Sequence, residues 1–591
     1  MDRHNYNLQK VEDVNYKKGL DLILRHLKKH ILLFLLIALL LIIVNFSGQV
    51  FNQLLLKQAV DIHIPNADLK GLTTTTLIYL GVSTFSIISN HFRLKLTGKM
   101  SQNMLFEIRE EIFNKIQNLP AKFFSENQTG DVIQRLTGNV EGIDRFFSQG
   151  LVRILGVGSS IIIFAIVMFI TNWRLAIIPV SGTVLTLIFL IIQGKWVEKH
   201  ISDSLEKESK LSSTTQESLD GFIAIQNENQ EQNWLGKFKE KNNEFFKVTK
   251  KVAWISSTSD GFLTVMSTLS LFITVMYALT LLSQDAITIG TIVIYITYVR
   301  GIFRNLNGIS QIWNNIKTGI SSAERLSDIL ELENDISTTM TPYSKENIKG
   351  EIEFRDVDFC YDGDHKVLSD INFKADAGKT IAIVGPTGGG KTTFVNLIAR
   401  LYDVDNGKIL LDGVDIKDWD LDSLRKNIGY LIQDNFLFED TILNNLKYNN
   451  REVTTDKAME MFEFLGAEKF IDSLPNGLNT KLETNGENIS AGQRQIVSLA
   501  RVLLRNPKIL ILDEATARID TKSERMLQEA VEKASKDLTT FVIAHRLSTI
   551  FNADKIILIK DNTILEQGTH EELISLNGFY AEMYSKFSGR K

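Results

Sequence analysis

Residues 380–394, TIAIVGPTGGGKTTF, decide the fold of the C-terminal half. TIAIV is uncharged, apolar and largely β-branched, the pattern of a buried strand. It runs directly into Gly385, Pro386, Thr387, Gly388, Gly389, Gly390, Lys391 and Thr392, a Gly-x4-Gly-Lys-Thr frame. Glycines without Cβ let successive backbone N–H groups curl around phosphate oxygens. Lys391 is placed to reach the β- and γ-phosphates, and the Thr392 hydroxyl to ligate Mg²⁺. The expected cofactors are ATP and Mg²⁺.

Working outward, the run ILILDEAT (509–516) is a second buried strand, ending in two carboxylates. Such a strand puts Asp513 at its carboxyl end, where α/β sheets hold ligands. Asp513 would hold Mg²⁺ through water, and Glu514 would polarise the attacking water as general base. Gln433, in IGYLIQDNFLFEDTI, offers an amide to Mg²⁺ and the water. His545, in VIAHRLSTI after another apolar strand, is in place to reach the γ-phosphate; a lone histidine is usually structural, and this one takes its weight from its company. Tyr361, ahead of the loop, is either an adenine-stacking ring or a core tyrosine, and the DGDH turn beside it favours the first. One motif does not fit a self-contained ATPase. NISAGQRQ (488–495) sets Ser490, Gly492 and Gln493 at the start of a helical run, and helix N-termini attract anions. Its distance from the phosphate loop in sequence suits it to another subunit's nucleotide.

The N-terminal half has a different character. Uncharged windows at 30–56, 71–92, 154–173, 175–194 and 261–284 each reach the ~20 residues needed to cross a bilayer as a helix. A sixth, AITIGTIVIYITYV at 286–299, is shorter. It is read as a span to about 307, because six crossings return the chain to its starting side. Lys17, Lys18, Arg25, Lys28 and Lys29 precede the first span, and connections 93–153 and 195–260 are dense in Lys and Arg. The short connections hold only Lys57, Lys70 and Arg174. The positive-inside rule places the N-terminus, both long connections and the C-terminal half in the cytoplasm, in a multi-pass protein of the cytoplasmic membrane. The long connections are helical in pattern, with breaks near Pro120 and Gly221 suited to short transverse helices. Arg300 and Arg304 either line a cavity or mark the exit of the sixth span. The expected division is a membrane domain at 1–335, a linker at 336–348 and a soluble domain at 349–591.

The 591 residues carry a net charge of −5, which gives no sign of a nucleic-acid binder. A single cysteine, Cys360, rules out an intrachain disulfide. No cleavable signal peptide is legible in the N-terminal residues.

Together these motifs resemble the ATP-binding cassette superfamily, specifically exporter-type half-transporters with the membrane domain first. The resemblance spans about residues 15–588. It implies an all-α polytopic membrane domain of six transmembrane helices with long cytoplasmic extensions, followed by an α/β P-loop NTPase cassette. It implies two cassettes facing head to tail, each ATP held between one chain's phosphate loop (Gly385–Thr393, so including Thr393) and the other chain's Ser490, Gly492 and Gln493. The matches carry over as A-loop Tyr361, Q-loop Gln433, Walker B Asp513, catalytic Glu514, D-loop Asp520 and switch His545. The breaks near 120–130 and 215–230 resemble the family's coupling helices. Departures are informative. The usual LSGGQ signature is ISAGQ, with Ala491 in place of glycine, preceded by a shortened TNGEN segment. The D-loop reads ATARID, and Gly389 stands where Ala or Ser is more usual. An altered signature beside an intact Glu514 is similar to one half of bacterial heterodimeric exporters, which is preferred here over a homodimer.

The expected function is ATP-driven export of hydrophobic or amphipathic compounds, drugs or lipids. A nucleotide-gated channel or regulatory subunit is the alternative, opposed by intact Glu514 and His545. Peptide export is disfavoured, because no cysteine-protease domain precedes the first span. No residue identifies the substrate.

Overall fold

The computed structural model describes residues 6, 16–334, 336, 342–345, 348–361, 365–432, 435–448, 450–513, 521–544 and 550–588. The chain forms two compact units. One comprises residues 9–117 and 129–331, the other residues 1–8, 118–128 and 332–591.

The first unit is helical throughout. Among the described residues, five helices are long and apolar enough to cross a membrane: Ile31–His63, Leu69–Gln117, Thr129–Thr171, Trp173–Gly194 and Glu231–Leu282. They correspond to the first five expected spans. Three helices extend well past a bilayer, as the polar connections predicted. Leu69–Gln117, Trp173–Asp220 and Glu231–Leu282 have 49, 48 and 52 residues, or about 70–80 Å at 1.5 Å per residue. Asn172 starts the helix at Trp173, its side chain accepting from the Leu175 N–H at 3.2 Å.

The sixth expected span is helix Ile289–Leu306, less apolar than the other five. It tolerates polar residues because it is packed inside the bundle. Ile294, Tyr295, Tyr298, Val299 and Ile302 are all buried. The Tyr295 hydroxyl is hydrogen-bonded to the carbonyls of Met168 (2.6 Å) and Asn172 (2.8 Å). Arg300 and Arg304 are exposed on this unit. The N-terminal end of this helix is capped from another helix. Asp61 accepts from the Gly290 N–H at 2.6 Å and the Thr288 hydroxyl at 2.5 Å. A Cβ at Gly290 would lie 2.6 Å from Asp61 Oδ1, so glycine permits this approach.

An amphipathic helix, Tyr16–Lys29, precedes the spans. Gly19 lets it lie close to the helix Ile309–Glu331, since a Cβ there would be 2.2 Å from the Ile320 carbonyl. Arg25 and His26 meet Glu111, and Lys29 and His30 meet Glu107.

The second unit contains two sheets. Strands β1 (Ile352–Cys360), β2 (Lys366–Ala375), β4 (Asn406–Leu411) and β5 (Val414–Asp415) form an antiparallel sheet in the order β2-β1-β4-β5. Strands β3 (Thr380–Val384), β6 (Ile428–Leu431), β7 (Ile509–Asp513), β8 (Thr539–Ile543), β9 (Lys555–Lys560) and β10 (Thr563–Gly568) form the other, in the order β10-β9-β3-β8-β7-β6. All but β10 are parallel. Such strands are buried on both faces, which is why TIAIV and ILIL are unbroken apolar runs. Phe394, on the helix after the phosphate loop, stacks on Phe354 of β1 at 4.3 Å and joins the core between the sheets.

Candidate nucleotide-binding site

Parallel register brings residues far apart in sequence to one edge of the second sheet. Ile383 of β3 lies opposite Ile543 of β8, and Ile543 opposite Asp513 of β7. Leu431, ending β6, lies opposite Leu512. The carboxyl ends of four neighbouring strands therefore share one edge, where α/β sheets bind ligands. Gly385 follows β3 and Asp513 closes β7, only 8 % exposed. Gln433, Glu514, Asp520 and His545 lie outside the described residues. The strand ends that deliver three of them, at Leu431, Asp513 and Ile543, are described and coincide.

The phosphate loop owes its shape to glycine. Gly385, Gly388 and Gly390 have φ of +146°, +81° and +95°, a region costly for other residues. A Cβ at Gly385 would meet the Ile559 carbonyl oxygen at 2.1 Å. At Gly390 it would meet Leu368 Cδ2 at 2.8 Å and the Val367 carbonyl at 2.9 Å. Lys391 Nζ donates to the carbonyls of Gly385 (3.0 Å) and Pro386 (2.9 Å), folding back over the loop. No side chain caps the helix Lys391–Ile398, since Gly390 is its N-cap, and a helix N-terminus attracts an anion. Thr392 is exposed on its first turn and Thr393 is buried. A loop of positive-φ glycines, a lysine across it, an exposed threonine hydroxyl and a strand-end carboxylate on the same edge suit a nucleotide phosphate with Mg²⁺.

Tyr361, just after β1, lies beside this loop. Its hydroxyl is hydrogen-bonded to Thr393 Oγ1 at 3.0 Å. Two tyrosines near it went unremarked in the sequence. Tyr402 meets the Tyr361 ring edge-on at 5.2 Å. Burial pushes its hydroxyl above the ordinary phenol range, while a hydrogen bond with Ser125 pulls the other way. Tyr430 of β6 donates to Asn396 Oδ1 at 2.8 Å. Burial, then the nearby Asp513 charge, raises its pKa. Neither tyrosine sits in a periodic pattern that would single it out; only proximity to the strand ends reveals them.

The ISAGQ segment starts the 13-residue helix Ala491–Leu503. Ser490 is its N-cap and forms a reciprocal capping box with Gln493: Ser490 Oγ accepts from the Gln493 N–H (3.3 Å), and Gln493 Oε1 accepts from the Ser490 N–H (2.8 Å). Gly492 is buried and Ala491 half-buried. Arg494 holds the preceding turn by donating to the carbonyls of Gly486 and Ile489.

Residues 35–306 match the family model for the ABC transporter transmembrane region, and residues 368–517 the family model described as ABC transporter. An uncharacterized ABC transporter ATP-binding protein of Bacillus subtilis, YfiC, is 33% identical, covering 93% of this chain and 91% of its own. The chain belongs to the ABC transporter family. An ATP-dependent lipid A-core flippase of Haemophilus influenzae is 35% identical, covering 87% of each chain. That of Vibrio vulnificus is 32% identical, covering 93% of this chain and 94% of its own. The solved structure of a bacterial Atm1-family ABC exporter with ATP bound superposes with a TM-score of 0.79 at 24% identity, covering 95% of this chain and 98% of that one. This ABC transporter is thus a half-transporter, with a helical membrane domain ahead of an α/β cassette, in the same fold as that solved structure. It is a multi-pass membrane protein whose ATP hydrolysis is coupled to transport.

Proposed function

We propose that this ABC transporter exports hydrophobic or amphipathic compounds, lipids or drugs, from the cytoplasmic membrane of its cell, as one half of a heterodimer with a single fully competent ATP site. The convergence of four strand ends on one edge beside the glycine cradle carries the ATPase reading. ATP would lie with its adenine on Tyr361 and its phosphates in Gly385–Thr393 under Lys391. Thr392, Gln433 and, through water, Asp513 would hold Mg²⁺, which neutralises charge on the transferring phosphoryl group. Glu514 takes the proton of the attacking water, and His545 contacts the γ-phosphate. Asp520 would face the second cassette.

Ser490, Gly492 and Gln493 would serve the partner's nucleotide across the interface. Ala491 supports the asymmetric reading: its methyl group stands in the first turn of the helix that must approach that phosphate. The domain limits 1–335, 336–348 and 349–591 belong to this reading, with the N-terminus and cassette cytoplasmic. Alternating access follows if ATP binds the closed cassette pair better than the open one. The kinship with proteins named lipid A-core flippases favours lipid-like substrates.

The test is purification of the tagged chain from native membranes. The expected companion is a second half-transporter with a substituted Walker B glutamate, and Glu514→Gln should then abolish most turnover of the pair. Recovery of this chain alone as an active dimer would refute the heterodimer.

A further inference from the structure

Beyond the nucleotide site, residue 6 has a set of contacts that no motif accounts for. Tyr6 is completely buried. Its ring meets Phe123 edge-on at 6.4 Å, with the Lys122 ammonium 5.6 Å from the ring centre. Both residues belong to the transverse helix Ala121–Glu126. The Tyr6 N–H donates to Glu126 Oε2 at 3.2 Å, and its carbonyl accepts from Asn127 Nδ2 at 2.9 Å. Its hydroxyl turns the other way and donates to the Glu333 carbonyl at 2.7 Å, in the chain leaving the helix Ile309–Glu331. Beside it, Asn334 donates to the Asn118 carbonyl at 3.1 Å. Ser125 and Glu126 of this same helix lie beside Tyr402, which packs against Tyr361.

We propose that Tyr6 is a positioning residue for energy coupling: it fastens the helix Ala121–Glu126 to the chain at Glu333, just ahead of the linker, so that the two segments joining membrane domain to cassette move as one. A tyrosine doing no more than filling space needs neither a hydroxyl bond to one segment nor backbone bonds to another. Three independent hydrogen bonds from one residue, all with its side chain out of water, define a fixed joint. The transverse helix also reaches the aromatic pair beside the phosphate loop. The aromatic neighbours of that loop thus lie beside a helix that Tyr6 ties to the chain at Glu333. Tyr6 touches neither nucleotide nor reacting atoms, so its loss should spare ATP chemistry and weaken transmission.

The experiment uses the full-length transporter, as purified with its native partner, in lipid nanodiscs. Hydrogen–deuterium exchange is followed with and without ATP–vanadate at the phosphate loop (380–394) and at the outer ends of the spans (56–72 and 283–290). In the unsubstituted protein, trapping should alter exchange in both regions. In Tyr6→Ala, protection of the phosphate loop and the KM for ATP should stay within twofold, while the response of the outer ends drops. Coupling between distant sites is commonly worth about 5- to 150-fold, so a fall of at least about fivefold is expected. Tyr6→Phe keeps the ring and loses only the Glu333 bond, so it should restore part of the response. If Tyr6→Ala is not recovered folded, Tyr6→Phe and Glu126→Ala, which removes the acceptor of the Tyr6 N–H, carry the test, each with a partial loss. Full transmission in Tyr6→Ala, or in both milder variants, overturns the proposal. So does a loss of nucleotide protection equal to the loss at the outer ends, which would mark a merely structural role. No response in the unsubstituted protein would instead bring down the coupled-pump reading, and the strap with it.

Discussion

Replacing Gly385 by alanine and replacing Gly388 by alanine add the same methyl group to the same loop, yet the structure sets very different costs. At Gly388 a Cβ meets nothing within 4 Å, so the cost is that of holding alanine at φ +81°, about 1–2 kcal/mol. At Gly385 alanine must adopt φ +146° and its Cβ would stand 2.1 Å from the Ile559 carbonyl oxygen. Backbone strain there is about 1–3 kcal/mol, and moving β9 away adds an overpacking cost of about 1–3 kcal/mol. The central values are about 4 kcal/mol at Gly385 and about 1.5 kcal/mol at Gly388. For a domain of cassette size, with about 2–4 °C per kcal/mol, the Tm falls by about 8–16 °C and about 3–6 °C. Gly389 makes a third point on the scale. Its φ is ordinary and its Cβ would lie 3.0 Å from the same Ile559 oxygen, so alanine there should cost about 1 kcal/mol or less. The assay is thermal unfolding of the nucleotide-free protein followed by intrinsic fluorescence, with ATP affinity measured alongside. Equal shifts for Gly385→Ala and Gly388→Ala, or a larger one at Gly388, would refute the claim that Ile559 dictates glycine at 385.

Three further outcomes follow from other parts of the molecule. In the heterodimer, this chain's signature serves the partner's weak site, so Ala491→Gly should leave steady-state ATP turnover unchanged; a severalfold rise would favour two equivalent sites. Asp358 accepts from the Asp370 N–H and pairs with Lys366 at 3.0 Å, and these contacts, in that order, lower its pKa to about 2. Its stabilisation is complete above the unfolded value of about 3.9 and is lost as pH falls towards about 2. Asp358→Asn should therefore flatten the decline in cassette stability between about pH 4 and 2, and an unchanged acid profile would contradict it. Asp61→Ala removes a carboxylate from the helix beginning at Ile289 and should destabilise the membrane unit by about 2 kcal/mol, read as a lower Tm; Gly290→Ala should do the same by pushing the carboxylate off the Gly290 N–H.

Much of this molecule was legible because its signals are local. TIAIV and ILIL announce buried parallel strands by composition, and a glycine or carboxylate at their ends marks the ligand edge. The long helices showed in uncharged windows flanked by polar helical pattern. What escaped depends on partners far apart in sequence. Asp61 caps a helix 229 residues later, and nothing around AVDIH predicts it. Tyr6 stands alone in MDRHNYNLQK, a polar stretch without periodicity, and its partners lie 120 and 327 residues away. The sixth span read as short because Arg300 closes its uncharged window, which itself contains Tyr295 and Tyr298. Their burial against other helices, with the Tyr295 hydroxyl bonded to two backbone carbonyls, is a tertiary solution no window can see.

The ISAGQ segment shows how a local rule and a distant function can share the same atoms. Ser490-x-x-Gln493 is a capping-box pattern, legible from spacing alone, and the cap forms. These side chains are also the ones expected to meet a phosphate held by another cassette, and the two uses are compatible for a stereochemical reason. In the cap, Ser490 Oγ and Gln493 Oε1 both act as acceptors, each taking a backbone N–H. The donors of the same groups, the serine O–H and the glutamine NH₂, are not spent in it. A phosphate oxygen needs only donors. Capping therefore orients the segment and absorbs the oxygens that would repel an anion, leaving the N–H and O–H groups of the helix start to attract one. Ala491, in the first turn between the two, obstructs neither donor by chemistry, only by the space its methyl group occupies. That is why Ala491→Gly isolates the steric part of the signature's role, and why its effect on turnover separates a chain whose signature serves a weak site from one whose two sites are alike.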